Sequence, residues 1–351
     1  MKFIKLGKHE IGDDQPCFVI AEMSANHNQD INKAINLIKI AKNSGAHAIK
    51  IQTYTPDTMT LNCANQYFKI NDGPWKGQTL YELYKKAYTP WEWQKDLKKI
   101  ADDLGILLLS TPFDCTAVDF LESIDIAGYK IASFELVDIP LLKYVASKNK
   151  PIILSTGMAT LAEIDLAVQT IRKENNDKII LLKCTSDYPA IPEEMNLKGL
   201  TLLKEVFGCP VGLSDHSLSP VVPVVAVTLG ASVIEKHFIE SRADGGPDCF
   251  FSLEPGELSD MVQSIKVAQS SLGKKQLGAS ENERKNEVFR RSLFSSIDIK
   301  KDEVFTDKNI RSVRPGYGLK PKYYDEIIGK KATCDIAFGT PISWKHIKIE
   351  E

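Results

Sequence analysis

Eight short apolar runs punctuate the first three quarters of the chain, and no other feature restricts the fold as strongly. They are residues 18–23 (FVIAEM), 48–53 (AIKIQT), 106–111 (ILLLST), 128–133 (GYKIAS), 151–156 (PIILST), 178–184 (KIILLKC), 211–214 (VGLS) and 232–238 (SVIEKHF). Between them stand stretches of helical spacing at 31–44, 91–104, 161–174, 200–207 and 221–229, with a last one at 257–272. Continuous apolar strands alternating with amphipathic helices mark a parallel sheet covered on both faces. Eight of them over roughly 240 residues predict an α/β fold of the (β/α)8 TIM-barrel type rather than a doubly wound sheet. Neither GxGxxG nor GxxxxGK(S/T) follows any strand, which removes the usual sign of an open nucleotide-binding sheet. A barrel makes one sharp demand: the chemistry must lie on polar residues at the C-terminal ends of strands.

Beyond residue 277 the rhythm changes. Residues 278–290 begin GASENERKNE, polar and charged as a linker is, and residues 291–351 read as short strands and turns. The expected organisation is a catalytic barrel over 1–277, a linker over 278–290 and a small β-rich domain over 291–351. A domain of that size has little core of its own, so docking on a barrel, its own or a partner's, is expected.

Lysine and arginine number 44 against 46 acidic residues, a formal net charge of -2. Nucleic acid and an anionic membrane are therefore not expected as partners. No run approaches the ~18 apolar residues that span a bilayer. The N-terminal MKFIKLGKHEIGDD is charged from its start and has no apolar h-region. The seven cysteines are scattered and form no CxxC pair, and most of them sit in apolar runs and read as small core residues of a reducing compartment. A cytoplasmic location is the expectation.

The strand ends supply Glu22, Ser24, Asn26 and His27; Lys50, Gln52 and Thr53; Ser110 and Thr111; Lys130, Ser133 and Glu135; and Ser155 and Thr156. The last three strands add Lys183, Ser186 and Tyr188; Ser214, Asp215 and His216; and Glu235, Lys236 and His237. His216 and His237 end adjacent strands, and neutral imidazole ligates divalent first-row metals. Two protein ligands leave positions for water and substrate, as a catalytic centre requires. The competing reading makes one imidazole a hydrogen-bonded orienting group.

Lys50 and Lys130 interrupt apolar strands, where an unpaired ammonium is costly to bury. A bound dianion, with hydroxyls and backbone amides completing a phosphate or carboxylate pocket, accounts for both. A Schiff-base lysine and a lysine snorkelling from the barrel end are the alternatives. Glu22 and Glu235 stand where a carboxyl can move a proton; for Glu235 a plain ion pair with a neighbouring lysine is preferred. Trp75, Tyr81, Tyr84, Tyr88, Trp91 and Trp93 follow the second strand, and helix packing is preferred over a sugar-sized pocket. The residues alone lead to a metal-dependent barrel lyase or synthase acting on a small phosphorylated anion.

The blocks IAEMSANHNQD, IKIQTYTPDTMTL, STPFD, YKIASFE, ILSTGMAT, LKCTSDYP, VGLSDHS and GASVIEKHF, with SVRPGYGLKP in the tail, resemble the sialic acid synthase family over essentially the whole chain. The resemblance implies a (β/α)8 barrel with a small C-terminal antifreeze-like (SAF) domain. It implies condensation of phosphoenolpyruvate with an N-acetylated amino sugar, giving a nine-carbon 2-keto acid and phosphate. It also implies a domain-swapped homodimer in which one chain's small domain caps the partner's barrel. ANHNQD, QTYTPDTMTLN and KIASFE look like the pseudaminate branch, whose acceptor is 2,4-diacetamido-2,4,6-trideoxy-altropyranose. Lys183 and Ser186 stand where neuraminate-type members carry histidine and asparagine, which makes N-acetylmannosamine the less expected sugar. The legionaminate branch is the alternative.

By the same resemblance, His216 and His237 hold the metal, Mn2+ or Mg2+. Glu22 handles the proton or water, forming the catalytic set with Lys50 and Lys130. The lysines, Thr111, Ser133, Ser155 and Ser214 hold the phosphate and carboxylate of phosphoenolpyruvate. Gln52 is a further substrate contact, and Ser186, Tyr188 and Asp248 fall on the sugar side. Arg314, in the RPGYG block, reaches the partner's site and contacts the sugar's acetamido group. Two readings of other classes are a metal-dependent aldolase using the same barrel end, and an inert barrel carrying a carbohydrate- or ice-binding tail. The second is disfavoured because a dead scaffold has no need of two buried lysines and two strand-end histidines.

Overall fold

The computed structural model describes residues 3–348. Phe3–Leu6 (β1) and His9–Gly12 (β2) form an antiparallel hairpin with Ile4 opposite Ile11. Alternation buries Ile4, Leu6 and Ile11 on one face. Gly7 in the two-residue turn has φ +58°, which an L side chain rarely adopts.

Eight parallel strands then close into the expected barrel. They are Phe18–Glu22 (β3), Ala48–Thr53 (β4), Leu107–Pro112 (β5), Tyr129–Ile131 (β6), Ile152–Ser155 (β7), Ile179–Cys184 (β8), Val211–Asp215 (β9) and Val233–His237 (β10). The circular order is β10-β3-β4-β5-β6-β7-β8-β9, and closure pairs His237 with Glu22 and Val233 with Phe18. The helices Ile31–Asn43, Trp91–Leu104, Leu161–Lys173, Gly199–Phe207, Val221–Thr228 and Pro255–Leu272 occur close to where the spacing places them. Leu80–Ala87, Cys115–Ser123 and Ile139–Ser147 are further helices, each opened by a side-chain cap from Thr79, Asp114 or Asp138. The fourth strand is shorter than its apolar run: Ser133 already leads into a 3-10 turn at Phe134–Val137.

Strand residues alternate between two environments because successive side chains point to opposite faces. Val19, Ala21, Ile49, Leu108, Leu154, Leu181, Leu213 and Ile234 belong to the layer shared with the helices. Ile20, Ala48, Leu109, Ile153, Ile180, Leu182 and Val233 form an interior cluster with Ile4, Leu6 and Ile11 of the hairpin. The hairpin therefore plugs the N-terminal end of the barrel with apolar side chains. Further along each strand the inward series turns polar, at Glu22, Lys50, Thr111, Lys130, Ser155, Ser214 and Glu235.

The chain divides into two compact units, Met1–Gly273 and Lys274–Glu351. The smaller unit is built on Ser292–Ser295 (β11) paired antiparallel with Ile310–Val313 (β12). Its core includes Leu293, Ile299, Phe305, Ile310, Ile327 and Ile342. The polar segment before it is not wholly extended: Glu281–Arg284 is a short helix capped by Ser280.

Candidate active site

A cavity of about 350 Å3 opens at the C-terminal end of the barrel, lined by Lys50, Gln52, Lys130, Ser133, Ser155, Tyr188, Ser214, His216, His237 and Asp248 among others. Glu22, Thr111 and Ser186 stand behind this lining and reach it through their neighbours. Glu22 holds Lys50 at 2.7 Å and accepts from Gln52 at 3.1 Å. Thr111 accepts from Lys50 at 3.2 Å. Gly157 leaves the space that the Ser133 and Ser186 hydroxyls use: a Cβ there would lie 2.7 and 2.2 Å from them. The Gly157 N–H donates to Ser133 Oγ at 3.1 Å.

The floor carries four almost fully buried charges. Glu235 Oε1 lies 3.2 Å from Lys130 Nζ and 3.6 Å from Lys50 Nζ, and Ser214 donates to it at 3.2 Å. Burial acts to push the Glu235 carboxyl up, but the two lysines outweigh it and hold the group below its ordinary value. Glu22 goes the other way, raised by complete burial and by Glu235 against the pull of Lys50. Burial lowers Lys130. The Ser155 hydroxyl is buried with no partner. Two ammonium groups, an unpartnered hydroxyl and the Ser133 and Ser214 hydroxyls make a donor-rich recess suited to phosphate and carboxylate oxygens.

Across the cavity, the His216 and His237 rings lie 5.3 Å apart. His216 Nδ1 is 2.9 Å from the Thr185 carbonyl, which accepts its proton, so the neutral ring carries its lone pair on Nε2; burial lowers this imidazole, but Cys184 and the Thr185 carbonyl outweigh it and raise the group above its ordinary value. His237 Nδ1 is buried without a partner. Burial, reinforced by His216 and the lysines, pushes His237 well below the usual imidazole value, so it is held in the neutral, ligating form. These features fit a divalent cation. Among the described residues no three histidine, cysteine or acidic side chains converge to hold one; two imidazoles would leave the remaining positions to water and substrate oxygens.

Of the sugar-side candidates, Tyr188 and Asp248 line the cavity. Tyr188 lies 4.4 Å from the His216 ring, and Asp248 accepts from Ser24 at 2.5 Å. Burial raises the Asp248 carboxyl above its ordinary value. Gln52 also donates to Ser24 at 3.0 Å, which ties Asp248 to Glu22 through the Ser24 hydroxyl and the Gln52 amide. Trp75 and Tyr84 line the cavity, contrary to the packing expectation; Trp75 Nε1 donates to the Pro247 carbonyl at 2.9 Å. Trp91 does pack, against Phe120 at 4.9 Å. Arg314 is exposed on the smaller unit.

Glu135 and Cys184 are among the cavity residues that carry no role assigned from the sequence. Glu135 lines the cavity with its carboxyl pushed up to about 7 by burial. Cys184 reads as a core thiol by composition, yet it continues the inward series of Ile180 and Leu182 and faces the cavity. Burial raises this thiol, but His216 and Ser133 outweigh that and bring it to about 7. Strand parity was the available signal for it. Parity also removes Thr53, Ser110, Asp215 and Lys236, which face the helical layer; Thr53, for instance, donates to Gln94 at 2.7 Å.

Residues 37–277 match the model of the NeuB family and residues 290–348 that of the SAF domain. The chain is 48% identical to the pseudaminic acid synthase of Campylobacter jejuni strain 81-176, covering 93% of this chain and 95% of that one. It is 44% identical to the pseudaminic acid synthase of Helicobacter pylori, over 95% and 98% of the two chains. The crystal structure of an N-acetylneuraminic acid synthetase from Leptospira borgpetersenii superposes with a TM-score of 0.73 at 33% identity, over 81% of this chain and 94% of that one. With its closed eight-stranded barrel, its donor-rich floor and these matches, the chain belongs to the NeuB family.

Proposed function

We propose that the chain condenses phosphoenolpyruvate with 2,4-diacetamido-2,4,6-trideoxy-altropyranose, releasing pseudaminic acid and phosphate. The match to the Campylobacter and Helicobacter pseudaminic acid synthases over nearly the full chain carries this reading. The lysine pair on the barrel floor supports its phosphoenolpyruvate half.

Lys50 and Lys130, with Thr111, Ser133, Ser155 and Ser214, hold the phosphate and carboxylate of phosphoenolpyruvate. Gln52, Tyr188, Asp248 and Ser186 face the sugar. His216 and His237 would hold Mn2+ or Mg2+, which when bound supplies Lewis-acid polarisation of the open-chain aldehyde oxygen. Carbon 3 of phosphoenolpyruvate forms the new bond to the aldehyde carbon, whose oxygen takes up a proton, and positive charge develops at carbon 2. Water adds to carbon 2 and gives up a proton; the tetrahedral intermediate then collapses to the ketone, breaking its C–O bond to phosphate. Glu22, raised by burial and fixed 2.7 Å from Lys50, is the carboxyl placed to hold and move the proton in these steps.

The reading extends to a cytoplasmic, domain-swapped homodimer in which Arg314 of one chain contacts the acetamido group bound in the other barrel. No helix among the described residues is long and apolar enough to cross a membrane. The test is phosphate release from phosphoenolpyruvate with Mn2+, offering the altropyranose, its legionaminate-pathway counterpart and N-acetylmannosamine separately. Preference for the altropyranose, abolished by chelator, is expected. Release with another sugar alone moves the chain to that branch, and no release with any of the three overturns the reading.

A further inference from the structure

Directly behind the two histidines, on the outer face of the strands, Asp215 and Lys236 form an ion pair with 1 % and 0 % exposure. Lys236 Nζ lies 2.6 Å from Asp215 Oδ2 and also donates to the Ser217 carbonyl. The other carboxylate oxygen of Asp215 accepts from the Ser217 N–H at 2.8 Å. Asp215 and Lys236 are paired in register between β9 and β10. Each immediately precedes a histidine, so alternation sends the ion pair outward and the imidazoles inward.

We propose that the Asp215–Lys236 pair is a positioning element that sets the separation of His216 and His237 for a divalent cation. The pair ties the residues on both sides of His216 to the residue before His237. His216 has a further restraint, its bond to the Thr185 carbonyl, whereas His237 Nδ1 has none. The placement of the second imidazole therefore rests on ring packing, with Phe251 4.8 Å away, and on the backbone that pairing with β3 and Lys236 anchor. Stability alone is a poor account of the pair. The surrounding layer is apolar, with Leu213 and Ile234 beside it, and apolar side chains in place of a buried ion pair are commonly neutral or better. What an ion pair adds there is direction: two fixed hydrogen-bond lengths that packing by itself does not impose.

This inference rests on the reading of His216 and His237 as the cation ligands, and the experiment separates the two. Free Mn2+ is titrated against the full-length protein by its EPR signal, in parallel with thermal unfolding. Wild type is compared with His237→Ala, with the paired apolar replacement Asp215→Leu/Lys236→Met, and with Asp215→Asn and Asp215→Ala. Loss of binding in His237→Ala upholds the ligand reading; undiminished binding there, or none by the wild type, overturns that reading and the positioning role with it. The paired variant is expected to unfold near the wild-type temperature while binding Mn2+ about 10–100-fold more weakly, the usual size of an outer-sphere effect. Wild-type affinity in that variant, with His237→Ala inactive in binding, overturns the positioning role alone. Should the paired variant not fold, the two single variants decide. Asp215→Asn, which keeps an acceptor, is expected to weaken binding less than Asp215→Ala, and equal wild-type affinity in both overturns the proposal.

Discussion

Glu235 Oε1 lies 3.2 Å from Lys130 Nζ, and the same oxygen is 3.6 Å from Lys50 Nζ. One carboxylate thus bridges two ammonium groups that the barrel buries almost completely, and Lys50 has Glu22 as a second partner at 2.7 Å. The arrangement gives each lysine a carboxylate partner while leaving donor directions unused, which is what a recess for a small polyanion requires. On the proposed reading such a pair serves binding rather than stability, since burial, with Lys50 beside it, lowers Lys130.

Lys130→Met should therefore separate the two. A hydrogen bond to a charged group contributes about 1.5–3 kcal/mol, so the KM for phosphoenolpyruvate should rise roughly 10–100-fold. Glu235 keeps Lys50 as partner, and the melting temperature should stay level or rise. An unchanged KM, or a collapse in stability, would show that Lys130 is structural.

Glu135 predicts a pH effect with a definite sign. Burial raises its carboxyl from 4.5 to about 7, so the folded state favours the protonated form. Its contribution to stability is full below 4.5 and is lost as pH rises through about 7. Glu135→Gln is neutral throughout, so it should match wild type at pH 4 and exceed it by about 1–3 kcal/mol at pH 8. Urea unfolding at the two pH values checks this; an equal difference at both would dismiss the shift.

Arg314→Ala should raise the KM for the sugar, or abolish turnover, while sedimentation shows the same oligomeric state as wild type. A guanidinium presents a planar fork to an amide carbonyl that an ammonium cannot reproduce, so Arg314→Lys should rescue poorly. Wild-type kinetics in Arg314→Ala would remove the swapped-cap reading.

At the opposite end of the barrel, Leu6 is fully buried in the hairpin plug. A Cβ on Gly128 would lie 2.6 Å from its Cδ1, a measure of how closely the plug fits. Leu6→Ala should cost about 2–5 kcal/mol in unfolding free energy, with the KM values of both substrates unchanged. A mild cost would mean that the plug collapses around the lost methyl groups.

Much of this protein is legible along the chain. A strand buried on both faces must be apolar throughout, so eight such runs announce the barrel, and a lysine within one, as at Lys50 and Lys130, is conspicuous at once. His216 and His237 stand out for the same reason, as polar residues ending apolar strands. Neighbouring positions are where the linear reading loses resolution. Asp215 and His216, or Lys236 and His237, look equally suited to chemistry until strand parity sends one inward and the other outward. Cys184 and Trp75 show the converse, since composition marks them as core and the cavity claims them.

What remained for the tertiary structure was the set of pairings made by closure. Only the closing contact of β10 on β3 brings His237 beside Glu22, and only the barrel's diameter lets Glu235 reach both Lys50 and Lys130. The chain's periodicity specifies which face a side chain takes, because the strand repeat is local. It carries no record of which distant side chains share that face at hydrogen-bonding distance. That follows from strand order and register around a closed sheet, where the charges of Glu22, Lys50, Lys130 and Glu235 must find one another or remain buried unpaired.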